Sequence, residues 1–224
     1  MHTDKQLEFT LPCGLPCVVV TRPYGKSFGA ALMLPVGYRH DPDRLQGITH
    51  LSEHMAFRGE NRALAERLTN DGARVNAWTS ASYTHFHVTG HADQFAEAIS
   101  LLANVVRGGP RQLAEFHAER EILYHEMSGY VMQGRRDEAY HGFWRAILGD
   151  PNWRTTYQKQ KAQVRQLSAD VIRQFIEWNY CPQYARLAVV APRPVAELRR
   201  SLVEIFSDIG ISDRPTSLYH FPIL

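Results

Sequence analysis

The residues best suited to chemistry in this 224-residue chain lie in one short run, Gly47 to Gly59. His50 and His54 are four positions apart, so on a helix both imidazoles project from one face. Such a pair supplies two nitrogens to one tetrahedral metal ion. Glu53 lies on nearly the same face and keeps its carboxylate free for proton transfer. This His-x-x-Glu-His order, the inverse of the commoner zinc-protease motif, predicts a zinc site with an adjacent base.

A catalytic zinc ion also needs a third protein ligand and an open position for water. A helix predicted from Pro110 to about Met132 carries Glu119 and Glu126, which are seven residues apart and so share a face. Leu123 lies between them and can hold that face against the core. An ordinary charged helix surface is the alternative interpretation. Two carboxylates around an apolar residue favour instead one ligand together with one group that orients a ligand.

Other residues give weaker indications of chemistry. His85 and His87 lie on one face of a predicted strand and form a second candidate metal pair, although such histidines more often belong to a solvated face. Ser52 has no matching base, so a serine-hydrolase site is not indicated. No glycine-rich phosphate loop is present. The segment from Gly47 to Gly59 therefore remains the main indication of function.

The overall composition is that of an ordinary globular domain and excludes some partners. The net charge is +2 and no block of like charge occurs, so neither nucleic acid nor a membrane surface is an implied partner. The polar N-terminus lacks the apolar stretch of a secretory signal. The three cysteines are expected to be buried and reduced. We therefore expect a cytoplasmic protein, and the excess of arginine over lysine hints at a bacterial source.

The predicted elements mix strands and helices in an order that is not a simple β-α alternation, which favours an α+β fold. Strands are predicted at 7–11, 17–22, 28–36, 75–80, 83–89 and 187–191. Helices are predicted at 47–58, 61–71, 95–106, 110–132, 140–148, 169–178 and 194–209.

Taken together, these residues resemble the pitrilysin and mitochondrial-processing-peptidase family of inverzincin zinc metallopeptidases. Gly47 to Gly59 is similar to the metal helix of that family nearly residue for residue, apart from Ser52, where the family usually has a bulky apolar residue. The likeness covers about residues 7–210. It includes an opening hairpin, a glycine-arginine loop, an edge strand, the ligand helix and a closing helix-strand step, at Thr10–Leu15, Val36–Asp41, Gly72–Thr79, Glu119–Glu126 and Tyr180–Ala191.

The resemblance implies roles for individual residues. One zinc ion per chain would be bound by His50, His54 and Glu126. Glu53 would be the general base, and Glu119 would assist catalysis by orienting a ligand histidine. The strand around Asn76 and Ala77 would bind an extended peptide substrate by adding it to the sheet as one more strand.

The resemblance also implies an architecture and a partner. We expect one domain over residues 1–224, with a core at 7–210 and a linker-like tail at 211–224. It would be an α/β roll with a mixed, mostly antiparallel sheet packed by helices, one half of a two-domain clamshell peptidase. The implied function is a zinc endopeptidase subunit that needs a second chain of similar fold, with a heterodimer favoured and a homodimer as the alternative.

Two other functions remain open from the sequence. The chain could be a non-cleaving binding or assembly subunit, which the intact His-x-x-Glu-His motif disfavours. It could also be a zinc amidohydrolase acting on a non-peptide amide. Only the strand at Asn76 argues for a peptide substrate over that alternative.

Overall fold

A computed structural model of the chain describes residues 5–107, 114–132 and 157–211, together with 142–143, 146–147 and 149. Its centre is one six-stranded sheet in the order β1-β2-β6-β3-β5-β4, in which only β2 and β6 pair in parallel. The mixed, mostly antiparallel sheet predicted from the sequence is thereby confirmed. The strands are β1 (Lys5–Thr10), β2 (Pro16–Thr21), β3 (Ser27–Leu34), β4 (Arg74–Thr79), β5 (Thr84–His91) and β6 (Arg186–Ala191).

Helices pack on one face of this sheet in the α+β arrangement that the element order predicts. They are α1 (Ile48–Ala56), α2 (Glu60–Asn70), α3 (Phe95–Val106), α4 (Phe116–Met132), α5 (Tyr157–Val164), α6 (Ala169–Asn179) and α7 (Val195–Ile205). The helix predicted at 140–148 lies largely outside the described residues. The α+β class is confirmed.

Two helices differ from the sequence-based prediction. Helix α4 begins at Phe116, after a turn at 114–115, so the prediction of an unbroken helix from Pro110 was wrong at this turn, while Pro110 itself lies outside the described residues. Phe116 is buried in the core, and this packing fixes the first turn of the helix. Helix α5 was not predicted because its sequence is mostly polar. It is held by packing against α4, where Lys161 and Arg165 lie over the ring of Tyr124.

The strands bury one face of the sheet under the helices. In β3, Phe28, Ala30, Leu32 and Leu34 are buried, whereas the alternating residues such as Met33 are more exposed. The same alternation recurs in β2 and β6. Because strand side chains point alternately to the two faces, the core lies between the sheet and its helices.

Strand β4 forms one edge of the sheet and packs against α1 and α2. Ala77 and Thr79 point toward the helices and are half-buried, whereas Asn76 and Trp78 point to the other face and are exposed. The strand expected at the sheet edge therefore lies there, with one side of its backbone unpaired by any other strand in the described part of the chain.

The three cysteines are buried and free. Burial, together with the nearby Cys13, raises the pKa of Cys17 to about 12, so this thiol is unreactive at neutral pH. Among the described residues, no helix combines the length and the apolar character that crossing a membrane requires.

Candidate metal centre

A buried carboxylate fixes the start of α1, the helix that carries the histidine pair. Asp41 is 7% exposed. It accepts hydrogen bonds from the backbone N–H of Gly47 at 2.7 Å, from the backbone N–H of Thr49 at 3.2 Å and from the Thr49 hydroxyl. These bonds satisfy N–H groups that the first helical turn leaves free, and the negative charge suits a helix N-terminus.

Gly47 itself is required by the geometry of this start. Its φ of 90° lies in the left-handed region, and a Cβ atom there would come within 2.5 Å of the Val164 side chain. The loop therefore turns tightly into α1 beneath α5. Asp41 and Gly47 together set the direction in which the helix presents its histidines.

The structure brings His50, His54 and Glu126 together. The two imidazole rings lie 5.0 Å apart between centroids, on consecutive turns of α1. Glu126 reaches them from α4, with one oxygen 4.0 Å from His50 Nε2 and the other 3.6 Å from His54 Nε2. One ligand atom from each residue lies within 4.8 Å of the other two, and no other group of three potential ligands forms among the described residues.

The chemistry of this donor set fits a zinc ion. Two imidazole nitrogens and one carboxylate oxygen are the ligands of many catalytic zinc sites, which keep a fourth position for water. Burial, and secondarily the neighbouring His54, lowers the pKa of His50 to about 3, so its imidazole is neutral and able to bind metal at neutral pH. The Glu126 side chain is 36% exposed, so the cluster is open to solvent on one side.

Glu119 lies behind His54, on the side away from Glu126. Glu119 is 4% exposed. One oxygen of its carboxylate accepts a hydrogen bond from Arg58 Nε at 2.5 Å, and the other lies 3.2 Å from His54 Nδ1. Burial alone would raise the pKa of Glu119, but the bonds to His54 and Arg58 outweigh it and hold the pKa at about 2. A carboxylate in this position leaves His54 Nε2 directed toward the metal cluster.

Glu53 lies on the side of α1 that faces β4. It is 9% exposed, and the hydroxyl of Thr79 donates a hydrogen bond to its Oε2 at 2.5 Å. Burial raises the pKa of Glu53, and the bond from Thr79 partly opposes that effect. A buried carboxylate beside the ligands of a metal ion is suited to accept and return a proton.

Three residues of this site were not singled out as functional from the sequence. Asp41, Arg58 and Thr79 each act through hydrogen bonds to residues at least six positions away. For Arg58 and Asp41 the only signal was their place in segments similar to the family pattern. For Thr79 it was likewise its place at the end of the segment Gly72–Thr79, which is similar to the family's edge strand.

The remaining candidate residues lie elsewhere. Asn76 and Ala77 are on the edge strand β4, beside α1 rather than in the metal cluster. His85 and His87 stack on the outer face of the sheet at 5.2 Å, and no third ligand joins them in the described ranges. Ser52 is buried, and its hydroxyl donates to the backbone oxygen of Ile48.

A groove of about 620 Å³ runs between α2, α4 and β4. Its lining includes Glu119, the residue behind His54, so the groove lies next to the candidate metal ligands. Its apolar lining includes Phe57, Val75 and Ile122, and its rim carries the ion pair between Arg62 and Glu115 at 2.5 Å. Asn76 also borders it. The free edge of β4 thus has a groove with a mixed apolar and charged lining on its helix side.

Comparison with known proteins gives a consistent family assignment. The family described as Insulinase (Peptidase family M16) matches residues 17–142. The chain is 25% identical over 217 residues to the mitochondrial-processing peptidase subunit beta of Lentinula edodes, covering 93% of this chain and 46% of that protein. It is 24% identical over 187 residues to an uncharacterized zinc protease of Bacillus subtilis, covering 81% of this chain and 45% of that protein. The chain thus spans less than half the length of these two relatives.

Solved structures share the fold. A protease from Helicobacter pylori superimposes with a TM-score of 0.82 at 19% sequence identity, over 99% of this chain and 54% of that one. Pitrilysin superimposes with a TM-score of 0.77 at 20% identity, over 100% of this chain and 25% of that one. The fold of the chain is that of one domain in these larger proteins.

Proposed function

Because the chain belongs to the insulinase family of peptidases, M16, we propose that it is the zinc-binding domain of an endopeptidase. The main support is the convergence of His50, His54 and Glu126 from two helices, with the carboxylate of Glu53 buried beside them. The names of two relatives, mitochondrial-processing peptidase subunit beta of Lentinula edodes and the zinc protease of Bacillus subtilis, agree with this function.

In the proposed reaction, Glu53 accepts a proton from the attacking water and returns it to the leaving amine. A zinc ion held by His50, His54 and Glu126 would supply the Lewis acidity that activates water and polarises the scissile carbonyl. Glu119, itself fixed by Arg58, keeps the ring of His54 oriented.

The substrate we propose is an extended peptide. Its backbone would pair with the free edge of β4 at Asn76 and Ala77, so that recognition depends mainly on main-chain hydrogen bonds. Side chains of such an added strand alternate between the two faces of the sheet. Those on the helix side would enter the groove lined by Phe57 and Ile122.

We further propose that a second domain of similar fold, on a partner chain that lacks His-x-x-Glu-His, closes the site. The open side of the cluster at Glu126 and the "subunit" in the name of the Lentinula edodes relative support this arrangement. Cleavage of a peptide by the purified chain, shown by sedimentation to be a monomer, would refute it. Activity of the pure chain as a dimer would favour a homodimer.

Replacing Glu53 by Gln tests the proposed reaction. The Glu53→Gln protein should bind zinc as the original protein does, because Glu53 is not among the ligands, yet it should lose peptide cleavage. Glu121→Gln is the matched control, since Glu121 lies on α4 and pairs with Arg165 at 2.7 Å, outside the site. Cleavage by Glu53→Gln at the rate of this control would exclude Glu53 as the base.

A further inference from the structure

Thr79 links the edge strand to the proposed base. It is the last residue of β4, its half-buried side chain points toward the helices, and its hydroxyl lies 2.5 Å from Glu53 Oε2. The two residues are 26 positions apart in sequence. Their hydrogen bond is a direct side-chain connection between α1, which carries the base, and the strand to which a peptide would add.

The direction of this bond follows from the neighbouring groups. An ionised carboxylate only accepts hydrogen bonds, so the single hydroxyl proton of Thr79 goes to Glu53. Thr84 lies 3.4 Å from Thr79, between hydroxyl oxygens, but its own proton goes to the backbone oxygen of Val36 at 2.8 Å. Thr84 is fully buried and so holds this arrangement in place.

We propose that Thr79 is a positioning residue, whose hydroxyl holds Glu53 at a set place relative to the peptide backbone paired with β4. This inference rests on the proposed peptidase function. A peptide added to β4 takes its position from the backbone of that strand, and Glu53 is tied to the same strand. The positions of the base and of the bond to be cleaved are therefore both set by β4.

Such a connection matters because proton transfer requires the donor and acceptor atoms to lie within hydrogen-bond reach. A displacement of about 1 Å at a reacting group can cost roughly 100-fold in rate. The backbone N–H of Thr79 also interacts with Glu53, but more weakly than the hydroxyl does. Without the hydroxyl, the terminal torsion of the Glu53 carboxylate, which has broad minima, is therefore less restrained. Peptide binding, in contrast, depends on the backbone of β4 and not on this hydroxyl.

Two substitutions at Thr79 separate its hydroxyl from its shape. Thr79→Val keeps the volume and branching but removes the hydroxyl, whereas Thr79→Ser keeps the hydroxyl. Thr89→Val is the control, because Thr89 is an exposed threonine at the other end of the same strand pair, opposite Arg74. The probe is a short internally quenched peptide that the original protein cleaves, with its partner chain added where cleavage requires one.

Thr79→Val should lower kcat by roughly 10- to 100-fold, the effect of losing a hydrogen bond to a charged group. KM and zinc affinity should stay unchanged, and Thr79→Ser should recover most of the lost kcat. A kcat of Thr79→Val equal to that of Thr89→Val would overturn the inference. The inference would also be overturned if a rise in KM, or a loss of zinc affinity, accounted for the whole loss of activity of Thr79→Val. If Glu53→Gln also cleaves normally, the proposed function itself fails, and this outcome is distinct.

A double-mutant cycle on the metal-free protein tests the contact without any activity. The unfolding equilibrium constants of Thr79→Val, Glu53→Ala and the double variant are measured by urea denaturation. Ala is used at Glu53 because the amide oxygen of Gln would still accept the hydrogen bond from the hydroxyl. If the hydroxyl and the carboxylate interact, the combined change should differ from the product of the two single changes by roughly tenfold. Simple multiplication of the single changes would show that no such contact holds Glu53.

Discussion

Replacing Glu119 by Gln probes how the protein orients its proposed zinc ligands. Glu119 contacts His54 Nδ1 at 3.2 Å and Arg58 Nε at 2.5 Å. These contacts hold its pKa at about 2, below the usual value of 4.5. That difference corresponds to roughly 3 kcal/mol of favourable interaction with the charged carboxylate. The Gln side chain has nearly the same shape but loses this charge, and its amide meets Arg58 or His54 with a donor in place of an acceptor.

We expect Glu119→Gln to weaken zinc binding by roughly 10- to 100-fold, since only part of the lost interaction reaches the metal through His54. The assay is a competition titration at neutral pH between the protein and a zinc-binding dye. Glu121→Gln makes the same change of charge on the same helix, outside the site, and should leave the affinity unchanged. Glu126→Gln replaces a ligand and should weaken binding more than Glu119→Gln does. Equal affinities of Glu119→Gln and Glu121→Gln would refute this reasoning.

Two further predictions concern the helix that carries the histidines. Asp41→Asn should lower the free energy of unfolding by about 2 kcal/mol, because a neutral amide replaces a carboxylate that accepts hydrogen bonds from Gly47 and Thr49. Urea denaturation measures this change, and an unfolding curve with the same midpoint and slope as that of the original protein would contradict it. In the metal-free protein, the pKa of His50 is about 3 in the folded state, whereas its ordinary value is 6.5. As the pH decreases, the unfolded chain therefore takes up a proton at this residue before the folded protein does. The free energy of unfolding should fall between about pH 6.5 and about pH 3. His50→Asn should make that decline shallower, and an identical decline in both proteins would show that His50 does not contribute.

The sequence predicted those parts of the site that depend on helical spacing. His50, Glu53 and His54 are within one turn or so of each other, so any helix presents them together. Glu119 and Glu126 share a face for the same reason, and Leu123 is buried between them as expected. The α+β class followed from the order of strands and helices.

Contacts between distant segments could not be predicted in this way. The bond from Thr79 to Glu53 depends on how β4 lies against α1, and no periodic pattern encodes that distance. Asp41 reaches the start of α1 only because the preceding loop folds back. Helix α5 has a mostly polar sequence and is stabilised by its contacts with α4, so tertiary packing outweighs its weak local pattern.

The central claim is that His50, His54 and Glu126 hold a zinc ion beside Glu53. Anomalous X-ray diffraction at the zinc absorption edge, on crystals of the protein grown with zinc, tests it most directly. We predict one strong anomalous peak per chain, about 2 Å from His50 Nε2, His54 Nε2 and a Glu126 oxygen. The absence of an anomalous peak at His50, His54 and Glu126 would contradict the claim. So would a zinc ion bound only elsewhere, such as at His85 and His87.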